Sequence, residues 1–210
     1  MICALSALEI YNSRGEPTIK IFLKTDSGIF TGTAPSGRSR GRFEAKIKDV
    51  KHIIESFPKL KKKFLNKEES EVDKIIHKIG INKIGANLST ALSIASWKAT
   101  SKVYSNVFPS PLGNVIGGGA HGGNTAIQEF LVLPKSAKNI RQAIETNFTI
   151  WQEVGNALKS RGLCGRNDEG AWISKLDDIK SLDILCNIAE QYGAVVGLDF
   201  AASHFYRRGS

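Results

Sequence analysis

The 210-residue sequence predicts an α+β N-terminal domain (antiparallel meander plus helices) followed by an α/β segment. Three observations carry this reading. Short runs with period-2 apolar alternation, joined by turns, occupy the first third of the chain. Apolar residues then shift to helical spacing as far as Val103. After Phe108-Pro109-Ser110-Pro111, where paired prolines stop regular structure, strands and helices alternate. The two domains are therefore expected at 1–108 and 109–210.

Ala4–Tyr11 reads as the first strand and leads into a turn at Asn12-Ser13-Arg14-Gly15-Glu16-Pro17. Thr18–Lys24 sets Ile19, Ile21 and Leu23 against Lys20, Phe22 and Lys24, the pattern of a half-buried strand. Asp26-Ser27-Gly28 turns the chain into Ile29–Thr33, and three strands joined by short turns run antiparallel. A Gly/Ser/Arg loop follows, Thr33–Gly41. Val50, Ile53, Ile54 and Phe57 mark a helix that Pro58 is expected to end. Ser70 with Asp73 suggests the capping-box start of a second helix, carrying Val72, Ile75, Ile76 and Ile79 up to Gly80. Leu88, Leu92, Ala95, Ala99 and Val103 outline an Ala-rich third helix.

Beyond the prolines, Gly113–Ile116 is a short strand running into Gly117-Gly118-Gly119-Ala120-His121-Gly122-Gly123-Asn124. Gln128–Leu133 is the next strand, ended by Pro134. A long amphipathic helix carries Ile140, Ile144, Phe148, Trp151, Val154 and Leu158 as far as Gly162. Another, with Ile179, Leu182, Leu185 and Ile188, stops at Gly193. Ala194–Asp199 reads as a fully buried strand of the parallel-sheet kind, with an acid at its C-terminal end.

Composition narrows the function classes. Three scattered cysteines, Cys3, Cys164 and Cys186, exclude a disulfide scaffold and point to a reducing, cytoplasmic setting. No apolar run reaches the roughly 18 residues of a membrane span. Met1–Leu8 lacks a basic flank and reads as a strand, not a signal peptide. Lys+Arg 29 against Asp+Glu 20 gives a net charge of +9, which attracts anionic partners. The lysines between Arg42 and Lys67 fall in one expected helical region with acids nearby. No aromatic residues interleave them as base stacking would require, so a solvated helical surface is the favoured reading.

Two glycine motifs are weak. Gly32-x4-Gly37-Arg38-Ser39 nearly matches a P-loop, but Arg38 replaces the lysine and the preceding strand belongs to a meander. Gly117–Gly122 fits the dinucleotide fingerprint by letter, yet a strand follows where a helix is needed. His121, a lone histidine in that loop, is either a surface residue or a donor to a substrate oxygen. Gln128-Glu129, Asp168-Glu169 and Asp199 all fall at strand ends or adjoining loops, where α/β barrels assemble their sites.

Seven ordered motifs then carry a resemblance across nearly the whole chain. They are Asn12-Ser13-Arg14-Gly15-Glu16-Pro17-Thr18, Pro35-Ser36-Gly37-x-Ser39-x-Gly41-x-x-Glu44-Ala45 and Lys83-x-Gly85-Ala86-Asn87, then Asn114-Val115-Ile116-x-Gly118-Gly119-x-His121-x-Gly123-Asn124, Gln128-Glu129-Phe130, Asp168-Glu169-Gly170 and Gly197-Leu198-Asp199-x-Ala201-Ala202-Ser203. In this order they resemble the enolase family. The resemblance implies that the second segment is the first part of an enolase-type α/β (TIM-like) barrel. It implies a phosphopyruvate hydratase, a lyase of glycolysis and gluconeogenesis that dehydrates 2-phosphoglycerate to phosphoenolpyruvate with two Mg²⁺ ions. By position, Asp199 and Ser39 would hold metal. His121, Gln128, Glu129, Ser36 and Gly37 would bind substrate, and Glu169, Glu129 and His121 would carry the chemistry. A homodimer or higher homo-oligomer, or a second chain completing the barrel, is implied as partner, with no membrane.

A barrel of this kind takes about 250 residues. Two further metal carboxylates, a lysine base and a second substrate lysine are expected beyond Ser210, so the chain by itself is expected to be inactive. Tyr206–Ser210 resembles the hairpin entry that would continue the barrel. Departures from the family pattern are Arg38 and Arg40 for the usual Ala and Thr, Ala171 for Gly, His204 for Glu, Asn12 for Asp, and a shortened segment after Glu44. The rival expectation is a non-catalytic remnant acting as a basic interaction or RNA-binding protein.

Overall fold

Ile19, Ile21 and Leu23 are fully buried while Lys20, Phe22 and Lys24 are not, so strand β2 (Pro17–Thr25) shows the alternation its sequence predicts. It is the middle strand of an antiparallel sheet, flanked by β1 (Ile2–Tyr11) and β3 (Gly28–Thr33). The computed structural model describes residues 1–37, 39–101 and 109–206. Among them the chain divides into two compact units, residues 1–37 with 42–101 and residues 39–41 with 109–206. Arg38, Val103, Phe108 and Arg207–Ser210, invoked above, lie outside the described residues.

In the first unit, helix α1 (Val50–Leu60), α2 (Val72–Ile79), the single turn α3 (Ile81–Ile84) and α4 (Ala86–Thr100) follow the sheet. Leu88, Ala91, Leu92 and Ala95 of α4 pack on the sheet in one core with Ile53, Phe57, Phe64 and Ile76. Each of the large side chains among these contributes about 1.5–3 kcal/mol by leaving water. The small residues permit close approach: a methyl group on Gly32 would stand 2.0 Å from the Ala91 carbonyl oxygen. Gly32, the first glycine of the near P-loop motif, thus serves helix–sheet packing.

Three expectations for this unit are corrected. Pro58 lies inside α1 and does not end it. Placed in the last turn, its missing N–H forfeits only one intrahelical bond, and the chain continues to Leu60 before a 3₁₀ turn at Lys61–Lys63. Ser70 does not cap α2. It sits within a 3₁₀ turn at Glu69–Glu71, where the Glu71 carboxylate accepts from the Glu68 N–H at 3.1 Å. Arg42, Lys46 and Lys48 precede α1 in irregular chain, because helix α1 begins only where Asp49 caps the His52 N–H at 2.9 Å.

The second unit is a five-stranded sheet in the order β6-β7-β4-β5-β8, comprising β4 (Gly113–Gly117), β5 (Glu129–Leu133), β6 (Leu163–Arg166), β7 (Trp172–Ser174) and β8 (Val195–Asp199). β4 runs parallel to β7, while β5 is antiparallel to both β4 and β8. Helices α5 (Ile140–Lys159) and α6 (Asp178–Gln191) contribute to a second core with Ile116, Phe130, Ile150, Leu158 and Leu185. Together the meander, its helices and this mixed sheet give the α+β domain and the start of a barrel that the sequence predicts.

Here too the structure corrects the reading. The buried face of α5 is Ala143, Ile150, Val154, Gly155 and Leu158, whereas Ile140, Ile144 and Phe148 are exposed. β8 is neither fully buried nor parallel to its neighbour: among the described residues it is one of the sheet's two edge strands, half-exposed, and pairs antiparallel with β5. The β6–β7 hairpin escaped the sequence reading altogether.

Candidate active site

Because β4 and β8 both run opposite to β5, their C-terminal ends meet its N-terminal end. Gly117, Glu129 and Asp199 consequently lie in one row, Glu129 being the register partner of both neighbours. The Gln128 N–H donates to the Asp199 carbonyl at 3.1 Å, extending the pairing by one residue. The Asp199 side chain accepts from the Ala201 N–H at 2.8 Å.

The glycine run after β4 is a tightly packed turn. A methyl group on Gly118 would stand 1.8 Å from Thr125 Oγ1, and Gly119–His121 closes a 3₁₀ turn. That turn buries the His121 side chain completely, so the histidine is no surface residue. Its Nδ1 lies 3.1 Å from Asp168 Oδ1 and its Nε2 lies 3.5 Å from Glu169 Oε2. Asn114 Nδ2 donates to the same Glu169 oxygen at 3.3 Å.

Asp168 and Glu169 are presented by the turn between β6 and β7. Asn167 Oδ1 accepts from the N–H groups of Glu169 and Ala171, at 3.0 and 2.9 Å. The Trp151 indole N–H donates to the Gly170 carbonyl at 3.0 Å, and Trp172 stacks on Trp151 with ring centroids 4.3 Å apart. Asn167, Trp151 and Asn114 were not singled out as site residues from sequence. An Asn two residues before an acid in a Gly-ended turn is an Asx-turn signal that could have found the first.

Donor atoms of His121, Glu129 and Glu169 come within 4.8 Å of one another, a group that could hold a metal ion. Asp199 stands outside that trio. The Glu129 carboxyl is pushed above the usual carboxylate range, first by burial, then by the nearby charges of Glu169 and Asp199. Such crowding of acids is relieved by a cation. His121 Nε2 and Gln128 Oε1 are buried without a hydrogen-bond partner among the described residues.

Ser39 accepts a hydrogen bond from Gln128 Nε2 at 2.9 Å, so these two expected site residues touch. Ser36 and Gly37 belong to the first unit. Arg14, paired with Glu16 at 2.9 Å, donates to the Ser36 carbonyl at 3.1 Å and to its hydroxyl at 2.9 Å.

Comparison with known proteins agrees with this architecture. The family model described as "Enolase, N-terminal domain" matches residues 2–108, and "Enolase, C-terminal TIM barrel domain" matches residues 105–210. The chain is 32% identical to an enolase of Natronomonas pharaonis over 240 residues, covering 100% of this chain and 60% of that protein. It is 35% identical to one of Halobacterium salinarum, covering 94% and 57%, and 33% identical to one of Methanocorpusculum labreanum, again 94% and 57%. The chain thus spans about 60% of the length of the curated relatives it matches. Two family models that between them take in both units, and relatives aligned over nearly every residue, place the chain in the enolase family.

Proposed function

We propose that the chain supplies part of the site of an enolase-type lyase, which removes water from 2-phosphoglycerate to give phosphoenolpyruvate in glycolysis and gluconeogenesis. The observation that carries the reading is the row of Glu129 and Asp199 across β5 and β8, with Glu169 and His121 facing it from two loops. Glu169 delivers a proton to the departing hydroxyl, because hydroxide leaves poorly without one. Glu129, its carboxyl raised by burial and neighbouring acids, shares a proton with the water released. His121 and Gln128 turn buried polar atoms to the substrate's polar groups, and Ser36 and Gly37 are further proposed substrate-binding residues.

Mg²⁺ fits the donors present: Asp199 and Ser39 offer hard oxygen, and the clustered acids are short of positive charge. When bound, the two ions would supply electrostatic stabilisation to the enolate-like dianion formed on removing a proton beside a carboxylate. Abstraction of that proton is assigned to no residue of this chain. The complete enzyme is proposed to be cytoplasmic and to work as a homo-oligomer or with a second chain closing the barrel. Among the described residues, no helix is long and apolar enough to cross a membrane.

The test follows the enol product by ultraviolet absorbance in Mg²⁺ buffer. The chain alone is expected to show no turnover. Fused to the remaining length of an archaeal relative it is expected to turn over, and Glu169→Gln in the fusion to lose about 10²–10⁴-fold in kcat. Full turnover by the Gln variant, or a folded fusion that neither binds nor dehydrates 2-phosphoglycerate, would overturn the reading. The rival, a non-catalytic basic interaction or RNA-binding protein, is supported by the net charge of +9. It predicts RNA affinity that falls steeply with salt.

A further inference from the structure

The first unit carries two adjoining clefts of about 760 and 340 Å³ that share Lys63, Ile79 and Lys83. Their floor is aliphatic. Ile75, Ile79 and Leu60 are partly buried against the first core, and Ile53, Ile84 and Leu88 belong to it. Their rim is cationic. Lys67, Lys74 and Lys78 join the shared lysines around the larger cleft, with Lys48 and Lys59 at the smaller. Along α2, Lys74 and Lys78 recur one turn apart, as do Ile75 and Ile79 beside them, so one helix supplies both rim and floor.

The lining contains seven lysines and one acid, Glu71, whose carboxylate already accepts from the Glu68 N–H. None of the seven makes an ion pair among the described residues, although Lys48 donates to the Lys83 carbonyl. Seven like charges gathered over an apolar floor repel one another, and an incoming anion relieves that. The choice of anion follows from the rest of the lining. The one ring in the lining is the His52 imidazole at the smaller cleft, and no arginine is present, so the larger cleft gives bases nothing to stack on and neither offers phosphates a planar fork. An aliphatic floor is matched by aliphatic side chains.

We propose that these clefts dock a short amphipathic helix from a partner protein, its apolar stripe on the isoleucine and leucine floor and its acidic flanks against the lysine rim. The site lies wholly in the first unit and does not rest on the lyase reading.

The probe is a fluorescent synthetic helix of about 14 residues, roughly four turns, with leucines at i, i+3, i+4 and i+7 and glutamates elsewhere. Anisotropy with the full 210-residue chain is expected to give saturable binding. The reversal Lys63→Glu/Lys74→Glu/Lys78→Glu is expected to weaken it at least about tenfold, a loss of about 1.4 kcal/mol. Lys138→Glu/Lys159→Glu/Lys175→Glu, with the same change in net charge in the second unit, is expected to leave binding unchanged, and circular dichroism verifies both folds. Replacing the leucines by serines is expected to weaken binding at least about fivefold, since the floor then goes unused. Absence of saturable binding, equal binding of the serine peptide, equal loss in both reversal variants, or tighter binding of a single-stranded RNA of the same length would each overturn the proposal.

Discussion

The indole N–H of Trp151 meets the Gly170 carbonyl at 3.0 Å, so a side chain of helix α5 ties down the turn that presents Asp168 and Glu169. Trp151 and Gly170 stand 19 residues apart in sequence, and the helix and the turn become one mechanical unit through this bond. Trp151→Phe keeps an aromatic ring against Trp172 and removes the donor. It is expected to cost about 1 kcal/mol in stability. Amide exchange at Glu169 and Ala171 should quicken several-fold while the strands of the sheet keep their protection. Unchanged exchange in the turn would show that Asn167 holds it unaided.

Gly155 makes the same tie possible from inside the helix. A methyl group there would stand 2.5 Å from the Trp172 ring. Alanine is the better helix former by about 1 kcal/mol, but overpacking against a fixed indole costs about 1–3 kcal/mol. Gly155→Ala is therefore expected to destabilise the second unit by about 1–2 kcal/mol in urea unfolding. It should also diminish the near-ultraviolet dichroism of the stacked Trp151–Trp172 pair.

In the first unit, Gly32→Ala would drive a methyl group to 2.0 Å from the Ala91 carbonyl oxygen and 2.7 Å from the Ala95 nitrogen. Backbone cannot yield as a flexible side-chain tip does. A loss of about 3 kcal/mol is expected. Native exchange protection should fall in β2 and β3 while β4 and β5 retain theirs.

Glu129 gives a pH dependence with a definite sign. Its folded-state carboxyl titrates above the unfolded one because of burial, Glu169 and Asp199. The folded protein therefore binds more protons across the interval between the two, and stability falls as pH rises through it. Glu129→Gln removes that penalty. Its melting temperature is expected to exceed the parent's by about 1–3 °C near pH 8, with the difference closing by about pH 4, where both states are protonated. A difference that widens on acidification would contradict the crowding of acids at this end of the sheet.

Much of this was legible in the sequence where one face of an element is buried and the other wet. Ile19, Ile21 and Leu23 announce β2 by alternation, and Gln128, Glu129 and Asp199 were correctly expected at strand ends. Helix α5 misled because apolar residues occur on two faces. Ile140, Ile144 and Phe148 spell a stripe, yet packing chose the one through Ala143, Ile150 and Val154. The β6–β7 hairpin has strands of 4 and 3 residues, too short for any period to register. The burial of His121 could not be read locally, because Asp168 and Glu169 reach it only through the tertiary fold.

The neighbours of β5 have one more consequence. Its pairing with β4 on one side and β8 on the other decides which way Glu129 points, since consecutive side chains of a strand project to opposite faces. A slip of one position would turn the carboxylate away from its companions while leaving every side chain of the cluster present. An inserted residue beside Phe130 would thus part Glu129 from His121 and Glu169 as completely as deleting it.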